Sequence, residues 1–257
     1  MLLALGGTGS SQERMEPLPA ELEGVGVTER LGEPVPLDLA FLDGEGQRVR
    51  LRDVFAAGLP VLLTLNYAEC PMLCHLQLEG TVSTMRALDL DLGTDYLALT
   101  VSIDPSETPE QARALRDAYL ALYERAVEPD AWRYLTGDED AIRALADAVG
   151  FGYRWVDSTQ EYAHAAVAIL CSPDGTVTRY VYGVQPSVET LRLGLIEAGQ
   201  GKIGSAVDRF LLFCFHYDAD EGRYALAAGR LMRTGGLVTL LLMGFGFRLL
   251  RKEARAR

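Results

Sequence analysis

Two cysteines stand four residues apart in Cys70-Pro71-Met72-Leu73-Cys74. Thiols at positions i and i+4 in the first turn of a helix face the same way. A helix N-terminus lowers a thiol pKa, because its unpaired N–H groups favour the thiolate. The thiolate is both a nucleophile and a soft-metal ligand, so such a pair can close a disulfide or hold Cu(I). The spacer is one residue longer than in the C-x-x-C of common dithiol oxidoreductases, which gives a wider loop. The plain alternative is two ordinary buried cysteines; Pro71 and the position just after an apolar strand weigh against it. With only four cysteines in 257 residues, a disulfide scaffold is excluded.

Two thiolates alone leave copper under-coordinated. The chain has three histidines, His75, His164 and His216. His164 lies in Tyr162-Ala163-His164-Ala165, just before an apolar strand, where a loop at that end of a sheet can reach the cysteine loop. Imidazole suits copper, and an S₂N set would take both Cu(I) and Cu(II). A lone histidine is more often structural, so at this point both readings of His164 stand. His75 is an alternative ligand, although on a helix its side chain should diverge from Cys74. Cys214-Phe215-His216 could touch copper, dock a partner, or simply pack as an amphipathic segment. Cys171 ends an apolar strand and reads as a small buried hydrophobe. Asp104 either supports the site loop or caps an Asp-Pro turn. Tyr67 and Phe151 read as core.

These residues need a frame. Residues 37–51 alternate apolar and polar around Asp43-Gly44-Glu45-Gly46, a hairpin signal. Residues 59–67 and 95–103 are continuous apolar runs, suited to strands buried on both faces. Residues 76–90 have helical spacing, and Thr108-Pro109-Glu110 opens a helix to about 124. A short strand at 132–135, a helix at 138–149 ending at Gly150, strands at 165–170 and 177–182 around Asp174-Gly175, and a helix at 188–198 follow. Strands alternating with helices, then a closing hairpin and helix, give an α/β fold with a mixed central sheet flanked by helices. The cysteines fall where a central strand hands over to a helix, the place where sites collect in open α/β sheets.

The ends differ from the body. Residues 1–30 form an expected mobile leader, rich in Gly, Ser, Glu and Pro from residue 6. Met1 to Leu5 lacks a basic region and a long apolar core, so it is expected to be the remnant of an export signal starting upstream, unless the C-terminal helix alone directs insertion. Residues 231–250 are an apolar, Gly-rich run that as a helix would span about 30 Å, the thickness of a hydrocarbon core. A buried core helix is the competing reading. Five basic residues against Glu253 follow from Arg248 onward, whereas the whole chain carries −12. The positive-inside rule places the 251–257 tail in the cytoplasm and the acidic body outside. Residues 201–230 would be juxtamembrane, and residues 31–200 the folded domain. The acidic balance argues against nucleic acid as a partner.

The residues Asn66-Tyr67-Ala68-Glu69-Cys70-Pro71-Met72-Leu73-Cys74, then Val101-Ser102-Ile103-Asp104-Pro105 with Thr108-Pro109-Glu110, then His164 leading to Ser172-Pro173-Asp174-Gly175, carry a family likeness. In that order, over about residues 30–200, the chain resembles the Sco/SenC family of copper-binding assembly factors for cytochrome c oxidase. The resemblance implies a thioredoxin-like fold and copper held by Cys70, Cys74 and His164. It implies a copper chaperone, and the apolar run with its basic tail leads us to expect it in a bacterial inner membrane, with its globular domain on the extracytoplasmic side. The acceptor would be the oxidase subunit with the binuclear copper site, or another copper chaperone. The chain departs from the family's usual pattern at His75, where many members have Pro, and in its C-terminal anchor. The alternative function is a membrane-anchored thiol-disulfide oxidoreductase using Cys70 and Cys74 to reduce acceptor cysteines. A peroxidase-like thiol enzyme fits less well, because Tyr67 stands where a peroxidatic cysteine usually has Thr.

Overall fold

The structure is a computed structural model that describes residues 24–70, 73–128 and 130–203, with the backbone of 217–218 and 223–224; the side chains of Leu73 and Cys74 are outside it. The signal remnant, Cys214, His216, the expected membrane span and the basic tail all lie outside the described residues. Among the described residues no helix is long and apolar enough to cross a membrane. The chain divides into two units, Met1–Ile203 and Gly204–Arg257. In the second, β11 (Tyr217–Asp218) pairs antiparallel with β12 (Arg223–Tyr224).

The first unit is built on a five-stranded sheet, β4 (Val61–Asn66), β5 (Leu97–Ser102), β6 (Trp132–Leu135), β9 (Val167–Cys171) and β10 (Val177–Tyr182), in the order β10-β9-β4-β5-β6. β4, β5 and β6 are parallel, and β9 runs antiparallel to both β4 and β10. Every residue of β4, β5 and β9 is buried, as their unbroken apolar runs predict for strands covered on both faces. The period of two divides them between two cores. Val61, Leu63 and Leu65 face α1 (Leu51–Phe55) and α4 (Glu139–Ala148); Leu62 faces α2 (Leu73–Ala87), α3 (Pro109–Tyr123) and α5 (Val188–Gly199). Polar residues also sit in the second layer: the Thr64 and Thr100 hydroxyls are 2.9 Å apart, and the Trp132 indole donates to Thr100 at 3.0 Å. The mixed α/β expectation is therefore met.

The hairpin at 37–51 is β2 (Ala40–Leu42) with β3 (Arg48–Arg50), and short α1 follows it directly. α3 opens with a reciprocal cap: Gln111 N–H donates to the Thr108 hydroxyl at 3.3 Å, and Thr108 N–H donates to the Gln111 side chain at 2.8 Å. α4 ends before Gly150, whose φ of +62° and 1.8 Å approach of a Cβ to the Thr28 carbonyl leave room only for glycine.

A second sheet, in the order β1-β7-β8, joins β1 (Gly26–Val27), β7 (Phe151–Val156) and β8 (Glu161–His164). Three sequence expectations are corrected here. Residues 24–30, assigned to the leader, are tied in, with β1 on β7 and Thr28 N–H donating to Gly150 O at 2.8 Å. His164 belongs to a strand rather than a loop, because the β7–β8 hairpin, too aromatic and too briefly alternating to stand out, extends to it. The helix after β4 begins at Leu73, so Cys70 lies ahead of it and only Cys74 is in its first turn.

Candidate metal and dithiol site

β4 ends at Asn66, and the chain turns through Tyr67, Ala68 and Glu69 into Cys70. Its end is fixed to β5 by Ile103 N–H donating to the Asn66 carbonyl at 2.9 Å. Cys70 is buried among the apolar core residues that include Tyr67. Cys74 follows in the first turn of α2.

His164, 90 residues beyond Cys74, is brought to this end of the sheet by the β7–β8 hairpin. Tyr67 makes the connection. Its hydroxyl accepts from Tyr162 N–H at 3.2 Å, its ring lies edge-on to Tyr162 at 5.4 Å, and its ring centroid is 6.2 Å from that of His164. Phe151 covers the imidazole from another side at 5.9 Å. Tyr67 and Phe151 are thus core residues, as expected, but core residues that seat the histidine.

The His164 Nδ1 is 3.1 Å from the Ala165 carbonyl oxygen. A carbonyl only accepts, so in this contact Nδ1 is the donor. Metal-ligating histidines commonly donate their other ring N–H to a backbone carbonyl in this way. Among the described residues no three His, Cys, Asp or Glu side chains form a metal-holding group; the expected set includes the undescribed Cys74 side chain. The chemistry of the donors fits copper: soft thiolates with one imidazole.

His75 is turned to α3. Its Nδ1 lies 2.8 Å from the Tyr119 hydroxyl, and Tyr119 in turn stacks on Trp132. Cys171 is wholly buried, and that burial pushes its thiol up to about 12, the setting of an inert core cysteine. Asp104 caps its own turn, accepting from Ser106 N–H at 2.8 Å and from the Ser106 hydroxyl at 2.7 Å.

The residue that supports the loop is Glu107, which sequence reasoning passed over. Its Oε2 accepts from Ala68 N–H at 2.8 Å and from the Ser102 hydroxyl at 2.8 Å. Burial raises its pKa above the usual carboxylate value, although both donors pull the other way. The signal available in the sequence was an acidic residue directly before a helix cap, which ordinarily means only an exposed first turn.

The SCO1/SenC family model matches residues 29–192. The Bos taurus Protein SCO2 homolog, mitochondrial, is 29% identical over 177 residues, 67% of this chain and 59% of that protein. The match therefore spans less than two thirds of that relative's length. A candidate electron transfer protein of Aquifex aeolicus VF5 superposes with a TM-score of 0.59 at 22% identity, over 67% of this chain and 95% of that one. A SCO1/SenC family lipoprotein from Bacillus anthracis str. Ames gives 0.52 at 17% identity, over 65% and 98%. At these identities the structural likeness is one of fold, the mixed α/β thioredoxin-like arrangement.

Proposed function

We propose, since this chain belongs to the SCO1/SenC family, that it binds copper through Cys70, Cys74 and His164 and serves cytochrome c oxidase assembly as a copper chaperone. The observation that carries this reading is the seating of His164. Its Nδ1 is taken up by the Ala165 carbonyl, and its ring is packed against Tyr67, three residues before Cys70. A ring N–H given to a backbone carbonyl is the arrangement metal-ligating histidines commonly have.

Two thiolates and one imidazole bind copper while leaving a position open for an incoming ligand, which is what transfer by ligand exchange requires. The acceptor in this reading is the oxidase subunit with the binuclear copper site, or another copper chaperone. The domain would work on the extracytoplasmic side of a bacterial inner membrane, held by residues 231–250 with the tail in the cytoplasm.

Titration of the reduced full chain tests the ligand set. Wild type should bind about one copper. Cys70→Ser, Cys74→Ser and His164→Ala should each weaken binding at least tenfold, as loss of one of three donors implies. A His164→Ala variant that takes up both Cu(I) and Cu(II) like wild type would falsify the three-donor site.

The second reading uses the same sulfurs. The position of the Cys74 backbone at the start of α2 favours a reactive thiolate. One thiolate would attack an acceptor disulfide to form a mixed disulfide. The other would then displace it, closing a Cys70–Cys74 disulfide and leaving the acceptor with two thiols. His164→Ala separates the two functions: disulfide exchange should survive while copper binding falls.

A further inference from the structure

We infer that Glu107 is a positioning residue that holds the cysteine loop in its copper-binding shape. This rests on the copper reading above and deepens it. The carboxylate comes from the β5–α3 connection, more than thirty residues from the cysteines in sequence, yet it reaches the residue two before Cys70. A single oxygen, Oε2, takes both the Ala68 N–H and the Ser102 hydroxyl at 2.8 Å. It therefore ties the start of the cysteine loop to the last residue of β5. A second tie runs in parallel. Gln111, already the capping partner of Thr108, donates its side-chain N–H to Glu69 Oε1 at 3.2 Å. Two successive loop residues, Ala68 and Glu69, are thus gripped by the segment that starts α3.

Burying a carboxylate is costly, and Glu107 is only 9% exposed. An apolar residue would fill the same volume without that cost, but it could not accept from the half-buried Ala68 N–H. The two bonds named above go to the loop and to the strand that flanks it. The charge is thus spent on fixing the backbone leading into Cys70. A metal site tolerates only small displacements of its donors, so a residue that sets the loop acts on copper through Cys70 without touching the metal.

The test uses the full chain, with Glu107→Gln, Glu107→Asp and Glu107→Ala, and Ser187→Ala as a destabilised reference that loses only the cap of α5. Copper affinity by chelator competition and the Cu(II) electron paramagnetic resonance spectrum are read beside copper-free thermal unfolding. Glutamine keeps a carbonyl oxygen able to accept both bonds, so it should stay within about twofold of wild type and keep the spectrum. Alanine should weaken copper at least tenfold and change the spectrum. Aspartate, one methylene short of spanning both donors, should do the same and carries the test if the alanine variant does not fold. Ser187→Ala should lower unfolding temperature alone. Wild-type spectra and affinity in both short variants, or a glutamine variant as impaired as alanine, overturn the positioning role while leaving the copper site standing. A wild type that binds no copper removes the copper reading and this inference with it, and is seen before any variant is made.

Discussion

At the scale of single residues, Glu107 gives the molecule a pH signature. Its carboxyl has an ordinary value of 4.5, and in the folded chain burial raises it. Between those two values the folded state binds more proton than the unfolded state, so stability falls as pH rises through the window. The opposite sign belongs to Asp174, held below its ordinary 3.8 chiefly by the Ser172 hydroxyl and also by Thr176 N–H. Its contribution is present above that value and is lost as pH falls through the depressed one. The two windows lie on opposite sides of the ordinary carboxylate range, so they can be separated. Glu107→Gln removes the ionisable group but keeps an acceptor. Relative to wild type, the variant should gain stability as pH rises from about 4.5 toward neutrality, with no gain below it. Thermal unfolding of both proteins from about pH 4 to pH 8 measures this. Parallel curves would mean that Glu107 is ionised without penalty.

At the scale of elements, α2 carries a glycine where helix propensity argues for alanine. A Cβ at Gly80 would stand 2.2 Å from the Val184 carbonyl oxygen, a backbone atom of the β10–α5 connection. The same turn is pinned by Thr84, whose hydroxyl donates to Gly80 O at 2.9 Å and Pro186 O at 2.7 Å. Gly80→Ala would gain about 1 kcal/mol of propensity. It must also push backbone away from a packed helix, and overpacking costs about 1–3 kcal/mol. The net expectation is a less stable protein with a lower unfolding temperature; an unfolding temperature raised by the substitution would show that the connection yields freely.

The elements also show what the sequence could and could not display. β4, β5 and β6, α3 with its Thr108 cap, and α4 ending at Gly150 were legible because each combines an apolar period with a local stop or start signal. The cysteine pair and His164 were legible as donor types. The β7–β8 hairpin was not, since its aromatics, buried Tyr153, exposed Trp155 and half-buried Tyr162, show no clean alternation. Its strand partner β1 was hidden for another reason: Gly26 and Val27 bond to β7, more than a hundred residues away, and nothing local announces that. Glu107 was missed in the same way. Its role depends on Ala68 N–H, a backbone group that every sequence offers at every position except proline.

At the scale of the whole molecule, the first unit carries everything that the copper reading uses. Its sheet is covered on both faces by α1 and α4 on one side and α2, α3 and α5 on the other. Its two cores are drawn from residues 35–198. A cut after Ile203 therefore removes none of these core residues, and a fragment of residues 24–203 should fold alone. Its thermal transition should be cooperative, and its copper affinity should match that of the full chain, since Cys70, Cys74, His164 and Glu107 all remain. What the cut removes is the second unit, with the apolar run 231–250 and the basic tail. About twenty apolar residues are enough to anchor a helix in a bilayer. The full chain expressed in a bacterium should then sediment with membranes and resist high salt, coming free only in detergent, while the fragment stays in the supernatant. Release of the full chain by salt alone would rule out a spanning anchor, because screening weakens surface charge attraction but leaves a buried apolar helix in place.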